Sequence, residues 1–206
     1  MDNLFPESSR RPILATAGVD EAGRGPLAGP VVVAAVILPD CFDIDGIVDS
    51  KKLDAAKRER AADRIRAATI WRIERSEAEE IDRINILRAT LEAMRRAVSA
   101  LPRQPDAVIV DGNRLPVGVD ARWRAEVRGD ARFPCVAAAS ILAKTERDRI
   151  MRAYAEKYPQ YGFDRHFGYP TLDHLAALAA FGPSPIHRLS FAPVQAQEQP
   201  CLTFDG

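Results

Sequence analysis

The chain has few cysteines, no net charge and no long apolar run, and each shortage removes a class of protein. Cys41, Cys135 and Cys201 are its only cysteines. An odd, widely spaced set builds no disulfide framework, and no pair has the spacing of a metal-binding knuckle. A reducing, cytoplasmic setting is expected. Basic and acidic side chains number 29 each, so net charge gives no sign of a nucleic-acid partner. No apolar run approaches the length of a transmembrane helix. Residues 1–12 carry acids, prolines and arginines without the apolar stretch of a secretion signal. They read as a flexible leader, and no membrane partner is expected. There is no internal repeat. The length, 206 residues, suits one α/β domain with a sizeable core.

What the chain does have is concentrated in residues 13–30. Ile13, Ala15, Ala17 and Val19 alternate at the period of a pleated strand. The strand ends in Asp20 and Glu21, and Gly23, Arg24, Gly25, Pro26, Gly29 and Pro30 follow. Two adjacent acids at the end of an apolar strand repel at short range and are costly to desolvate together. A cation bound by both removes that cost. The glycines let the backbone take φ > 0 and let a ligand approach the amides. The stretch reads as a metal site beside a backbone-lined binding surface. The plain alternative is a strand running into a solvated turn.

The rest of the chain alternates strands and helices. Residues 31–38 form an unbroken apolar run, read as a buried second strand that pairs antiparallel with the first across the turn at 26–30. A loop at 41–48 precedes a helix over 54–68. Residues 69–75 read as a short strand, 77–82 as a helical turn, and 85–100 as an amphipathic helix with Ile86, Leu87, Thr90, Leu91, Met94 and Val98 on one face. The strand 106–110 ends in Asp111-Gly112-Asn113, which repeats the opening pattern of strand, acid, glycine. Residues 123–127 read as the last strand, with Arg128-Gly129-Asp130 in a tight turn. Long and shorter helices follow over 134–157 and 171–181, and the chain beyond Val194 reads as a flexible tail, 195–206. The pattern points to a mixed α/β sheet flanked by helices.

The acids suggest hydrolysis of a phosphodiester, in which divalent cations are held mainly by carboxylates from several segments. Asp20 and Glu21 are two candidates and Asp111 the third, because neighbouring strand ends converge. For a fourth, Asp130 and Asp148 compete. Asp148 follows Lys144 by one helical turn, the spacing of a surface ion pair. Between residues 121 and 152 eight basic side chains face four acidic ones, which suggests a phosphate-binding face. The alternative is a solvated arginine-rich surface. Lys51 and Lys52 oppose the dipole of the helix they precede unless a phosphate lies nearby. Ser140, Lys144 and Asp148 form a polar stripe that is either a wet helix face or a substrate contact. Tyr169, after Gly168 on a loop leading into a helix, can stack on a sugar or base, or simply pack.

The run Asp20-Glu21-Ala22-Gly23-Arg24-Gly25-Pro26-Leu27-Ala28-Gly29-Pro30-Val31 resembles the signature of the type 2 ribonucleases H, specifically bacterial ribonuclease HII. Further blocks are similar in order: Asp49-Ser50-Lys51-Lys52-Leu53, the Ala-Ala-Ser helix with Lys144, His166-Phe167-Gly168-Tyr169-Pro170-Thr171, and His187-Arg188 through Ser190-Phe191 and Pro193. The resemblance covers residues 18–194, and with it 13–194 is taken as one catalytic domain. It implies a ribonuclease H-like fold: a five-stranded mixed sheet whose second strand runs antiparallel to the rest, flanked by helices, with a helical C-terminal segment. It implies an endonuclease dependent on Mg²⁺ or Mn²⁺ that cuts RNA in RNA/DNA hybrids and 5′ of single ribonucleotides in duplex DNA. It selects Asp130 as the fourth acid, after a basic and a small residue. It places Gly23, Arg24, Gly25, Lys51, Lys52, Asn113, Ser140, Lys144 and Tyr169 among the substrate contacts.

The chain departs from the family at Phe167, where lysine is common, and at Arg128, where lysine is also frequent. A monomer is expected. Gln199, Leu202 and Phe204 resemble the peptide by which bacterial enzymes attach to the replicative sliding clamp; the alternative is an uninvolved tail. A nucleotide-binding ATPase or kinase fits less well, because the glycine loop lacks a Lys-Ser/Thr ending. A non-catalytic binding module gives no reason for convergent acids.

Overall fold

The computed structural model describes residues 15–47 and 54–198. Five strands form one sheet: β1 (Thr16–Ala22), β2 (Val31–Ile37), β3 (Ile70–Ser76), β4 (Ala107–Asp111) and β5 (Trp123–Glu126), in the spatial order β3-β2-β1-β4-β5. β2 runs antiparallel to β1 and to β3, whereas β1 and β4, and β4 and β5, are parallel. The second strand is therefore the one that runs against the others. The expectations for Ile13, for the leader 1–12, for Lys51 and Lys52 and for 199–206 lie outside the described residues.

β2 shows why the sheet is a middle layer. All seven of its residues are buried. Val33, Ala35 and Ile37 join a core with Ala93, Met94, Ala97 and Val98 of α3 (Ile86–Ser99). Ala34 and Val36 face the other way, onto Ala61, Ala62 and Ile65 of α1 (Ala55–Ala68) and onto 137–143 of the long helix α5 (Pro134–Lys157). The period of two sends alternate side chains into two cores, so the strand reads as a continuous apolar run.

α5 lies close on β1. A Cβ built on Gly18 would overlap the backbone of Cys135 and Val136. Glycine in the strand and alanines in the helix let the two backbones approach, which aligns the helix with the end of β1. Pro134 opens α5 at its first turn, where a missing N–H costs nothing.

Several local readings change. Residues 78–84 form a full helix, α2 (Ala78–Ile84), that meets α3 at Asn85, a residue with φ 67° whose side chain accepts from the Arg88 amide. Asp130 lies in a one-turn helix, α4 (Gly129–Arg132), and the turn is made before it by Arg128 at φ 58°. A 3₁₀ turn (Pro159–Tyr161), α6 (Phe163–His166) and α7 (Leu172–Phe181) complete the C-terminal region. The last helix, α8 (Ala192–Glu198), crosses the boundary drawn at Val194. Val194 is buried against Leu27 and Leu178, and good helix formers continue the turn. Among the described residues no helix is long and apolar enough to cross a membrane.

Candidate active site

β1 and β4 run parallel and end at the same edge, with Val19 opposite Val110. The next residue on each strand is an acid, so Asp20 and Asp111 leave the sheet side by side. Asp20 is buried and accepts from the Glu21 amide at 2.7 Å, and the Ser140 hydroxyl of α5 hydrogen-bonds to it. Asp111 accepts from the Gly129 amide at 2.7 Å, which sets buried Asp130 beside it. Asp20, Glu21 and Asp111 thus meet at one edge of the sheet, and the bond from Gly129 brings the one-turn helix that carries Asp130 to the same edge.

Their electrostatics are unfavourable without a counter-charge. Burial, then the neighbouring Glu21, with Asp111 adding to it, holds the Asp20 carboxyl well above its ordinary value. Burial also raises Glu21, against the opposing pull of Arg24. Glu21 reaches Arg24 with one oxygen at 3.4 Å, while its Oε2 is buried without a hydrogen-bond partner. A buried carboxylate oxygen left unsatisfied is unfavourable by about 1–3 kcal/mol. A cation would satisfy it, and a purely carboxylate donor set suits a hard divalent ion. Among the described residues no three His, Cys, Asp or Glu are arranged so that by themselves they could hold an ion. Mg²⁺ does not require that, since it keeps several waters and takes the remaining ligands from substrate phosphate.

Glu126 is a fifth acid at this edge, opposite Asp111 in the β4–β5 register. Arg124 and Arg132 both pair with it, so its charge is answered within the protein. Sequence reasoning passed over it, and the register is what exposes it.

Two hollows open on either side of Glu21. One is a cleft of about 360 Å³ lined by Glu21, Gly23, Arg58, Ser140, Lys144, Arg147 and Tyr169, among others. The other, smaller, is lined by Glu21, Arg24, Asp111 and Asn113, together with apolar residues of α3. The Tyr169 ring stands over the glycine loop: a Cβ on Gly25 would meet its Cε1 at 3.6 Å. Of the residues expected from the sequence, Glu21, Gly23, Arg24, Asp111, Asn113, Ser140, Lys144 and Tyr169 line these hollows, and Lys51 and Lys52 are not described.

The loop itself is held from behind by two buried arginines. Arg147 donates to the carbonyls of Pro30, Ala28 and Phe167 at 3.0–3.1 Å. Arg188 donates to those of Gly23, Arg24, Pro26 and Gly29 at 2.6–3.0 Å. Burial lowers Arg147 to about 10 and Arg188 to about 9, so both stay charged at neutral pH. With its carbonyls turned inward onto two cations, the loop is a cradle braced from behind.

A family model described as Ribonuclease HII matches residues 17–194. The chain belongs to the ribonuclease HII family. Ribonuclease HII of Pelodictyon phaeoclathratiforme is 53% identical over 189 residues, covering 89% of this chain and 92% of the relative. The ribonuclease H2 structure from Pyrococcus horikoshii superposes with a TM-score of 0.73 at 28% identity, covering 89% of this chain and 96% of that one. A ribonuclease HII from Archaeoglobus fulgidus, solved as a complex with PCNA, gives 0.71 at 27% identity, covering 91% and 98%. The fold is ribonuclease H-like, and the protein is a metal-dependent nuclease, a phosphodiester hydrolase.

Set against the ribonuclease HII resemblance, two charge readings need correction. Asp148 does not form a surface pair. It is buried, receives Lys144 at 2.6 Å and Arg58 at 3.5 Å, and so fixes two cations on the cleft wall. The eight basic residues at 121–152 do not make one basic face. Arg147 is buried, and Arg122, Arg124, Arg132, Arg149 and Arg152 lie against Asp120, Glu126, Glu146 and Glu59. Arg58 of α1 is marked by no local pattern, because only tertiary packing brings it to the cleft.

Proposed function

We propose that this chain is an endoribonuclease that hydrolyses the RNA strand of RNA/DNA hybrids and cuts 5′ of single ribonucleotides in duplex DNA. The observation that carries the reading is the meeting of Asp20, Glu21, Asp111 and Asp130 at one sheet edge beside a cleft roofed by Tyr169. These four acids are assigned as the ligands of Mg²⁺ or Mn²⁺. Such ions, when bound, supply an activated water and neutralise charge on the phosphate. Attack by water on phosphorus, with the P–O3′ bond breaking and the 3′ oxygen leaving, gives products with 3′-hydroxyl and 5′-phosphate ends.

The protein's own part is positioning. Lys144 and Arg58, held by Asp148, face the cleft where a phosphate would lie. Ser140 orients Asp20. Gly23, Arg24 and Gly25 on the braced loop, with the Tyr169 ring over them, read the 2′-hydroxyl, the group that separates RNA from DNA at a site. Asn113 lies on the Asp111 side and is assigned to the substrate strand, as are Lys51 and Lys52. The remaining assignments are one catalytic domain over 13–194, a monomer, and a cytoplasmic setting. Docking to the organism's own sliding clamp is assigned to Gln199, Leu202 and Phe204; a tethered enzyme gains in effective concentration where DNA is copied. The PCNA complex of the Archaeoglobus relative supports a clamp partner.

The test is incubation with a duplex carrying one ribonucleotide, with and without Mg²⁺ or Mn²⁺, followed by end analysis. Metal-dependent cutting on the 5′ side is expected. A 2′,3′-cyclic phosphate product, or cutting in the presence of a chelator, would overturn the assignment.

A further inference from the structure

The three histidines of this chain form one buried cluster behind Tyr169. None of them touches the acids assigned above. His166 and His174 stack with ring centroids 4.5 Å apart, and His187 lies 5.2 Å from His174. Tyr161 and Phe163 pack around them.

Their hydrogen bonds have a determined direction. A backbone N–H can only donate. The Ser184 amide donates to His187 Nδ1 at 2.9 Å, so that nitrogen carries no proton, and His187 is protonated on Nε2. His187 Nε2 lies 3.0 Å from His174 Nε2, so it donates there, and His174 must carry its proton on Nδ1. His174 Nδ1 lies 2.9 Å from the Tyr169 carbonyl oxygen and donates to it. Separately, the Gly168 amide donates to His166 Nδ1 at 3.2 Å, which leaves His166 Nε2–H to donate to the Tyr161 carbonyl at 2.7 Å. Every ring nitrogen has one role, and all three rings are neutral.

The same histidine also touches the glycine loop through its chain neighbours. His187 bridges Ala28. Ile186 accepts from the Gly29 amide and the Arg188 amide donates to Leu27, both at 2.8 Å. The loop and Tyr169 are the two jaws that close on the ribose in the reading above, and the imidazole pair spans them.

We propose that His187 and His174 are positioning residues: a one-way relay from the Ser184 amide to the Tyr169 carbonyl that sets Tyr169 in register with the glycine loop and so tunes discrimination for a single ribonucleotide. The inference rests on the assignment of Tyr169 to the substrate. The Leu27 amide of the loop also donates to the Gly168 carbonyl, at 2.8 Å, so loss of the relay leaves that segment attached but shifted. Burial and the adjacent His174 lower His187 to about 4, in keeping with a relay of neutral rings.

Two measurements on the full-length protein test it. In ¹⁵N spectra at neutral pH, one ring should show the Nδ1–H tautomer and two the Nε2–H tautomer, with the single Nδ1–H signal lost in His174→Asn. Three Nε2–H rings, or a charged ring in the cluster, would overturn the relay. For kinetics, His174→Asn places an amide donor near Nδ1, whereas His174→Gln places its amide near Nε2. The ratio of kcat/KM for a single-ribonucleotide duplex to that for a long hybrid should fall about tenfold in His174→Gln, the scale of one lost hydrogen bond, and recover in His174→Asn. Equal ratios in the two variants would mean that the histidine only packs. If Tyr169→Ala lowers the ratio and His174→Gln does not, the relay alone is wrong. If Tyr169→Ala leaves it unchanged, the assignment of Tyr169 fails and the positioning role with it.

Discussion

Arg147 occupies the space that a side chain at Gly23 would need. A Cβ built on Gly23 would overlap the guanidinium of Arg147, and Gly23 sits at φ +98°. The arginine cannot swing away cheaply, because it is buried and gives three hydrogen bonds to carbonyls of the loop and of Phe167. The first glycine after the paired acids is therefore fixed by an arginine more than a hundred residues later.

Gly23→Ala should lower stability by about 3 kcal/mol, combining the left-handed backbone with displaced buried hydrogen bonds. Urea midpoints would measure it. A loss below about 0.5 kcal/mol, the level of an ordinary surface change, would show that the loop is not braced by Arg147.

Asp20→Asn should stabilise the protein while abolishing cleavage. The folded state holds the Asp20 carboxyl well above its ordinary value, so the folded protein binds a proton more readily than the unfolded chain. Stability from this group is present at low pH and is lost as pH rises through the folded value. At neutral pH the charge is a burden that asparagine removes. A thermal midpoint below wild type would contradict this.

Added Mg²⁺ or Mn²⁺ should raise the melting temperature of the wild-type protein and leave that of Asp111→Asn nearly unmoved, because a ligand that binds only the folded state stabilises it. Equal shifts in both proteins would place the ion elsewhere.

Stability should also depend on pH through His187, with the opposite sign. Its folded value is about 4 against 6.5 for the free side chain. The unfolded chain then binds the proton more readily, so stability is complete above about pH 6.5 and falls towards pH 4, by on the order of 3 kcal/mol. Asp20 and Glu21 move in the other direction, so the comparison is with His187→Gln, whose stability should fall less over the same window. Parallel pH profiles for the two proteins would rule the effect out.

Phe167 carries Lys144 at 5.0 Å and Arg152 at 5.8 Å over its ring. The aromatic residue thus holds two cations from α5 near the cleft. Phe167→Ala should weaken duplex binding by about 0.5–1 kcal/mol, roughly two- to fivefold. An unchanged dissociation constant at low salt would make the ring a packing residue only.

Much of this site was legible in the chain itself. The alternation ending in Asp20-Glu21 and its echo ending in Asp111 marked two strand ends, since a pleat of period two is a local property. Glycines after the acids marked a tight loop for the same local reason. What sequence could not supply was direction and partnership. Asp148 reads as a solvent-facing acid from its spacing to Lys144, and only the packing of α1 onto α5 buries it against Arg58. Arg147 reads as part of a basic surface, yet it is enclosed because backbone carbonyls far away in sequence turn towards it. Glu126 looks no different from Asp130 until Arg124 and Arg132 settle on it. The sequence determined where the acids and glycines stand along the strands. The tertiary structure decided which charges are answered by the protein, because pairing and desolvation depend on distances between segments that no local pattern encodes.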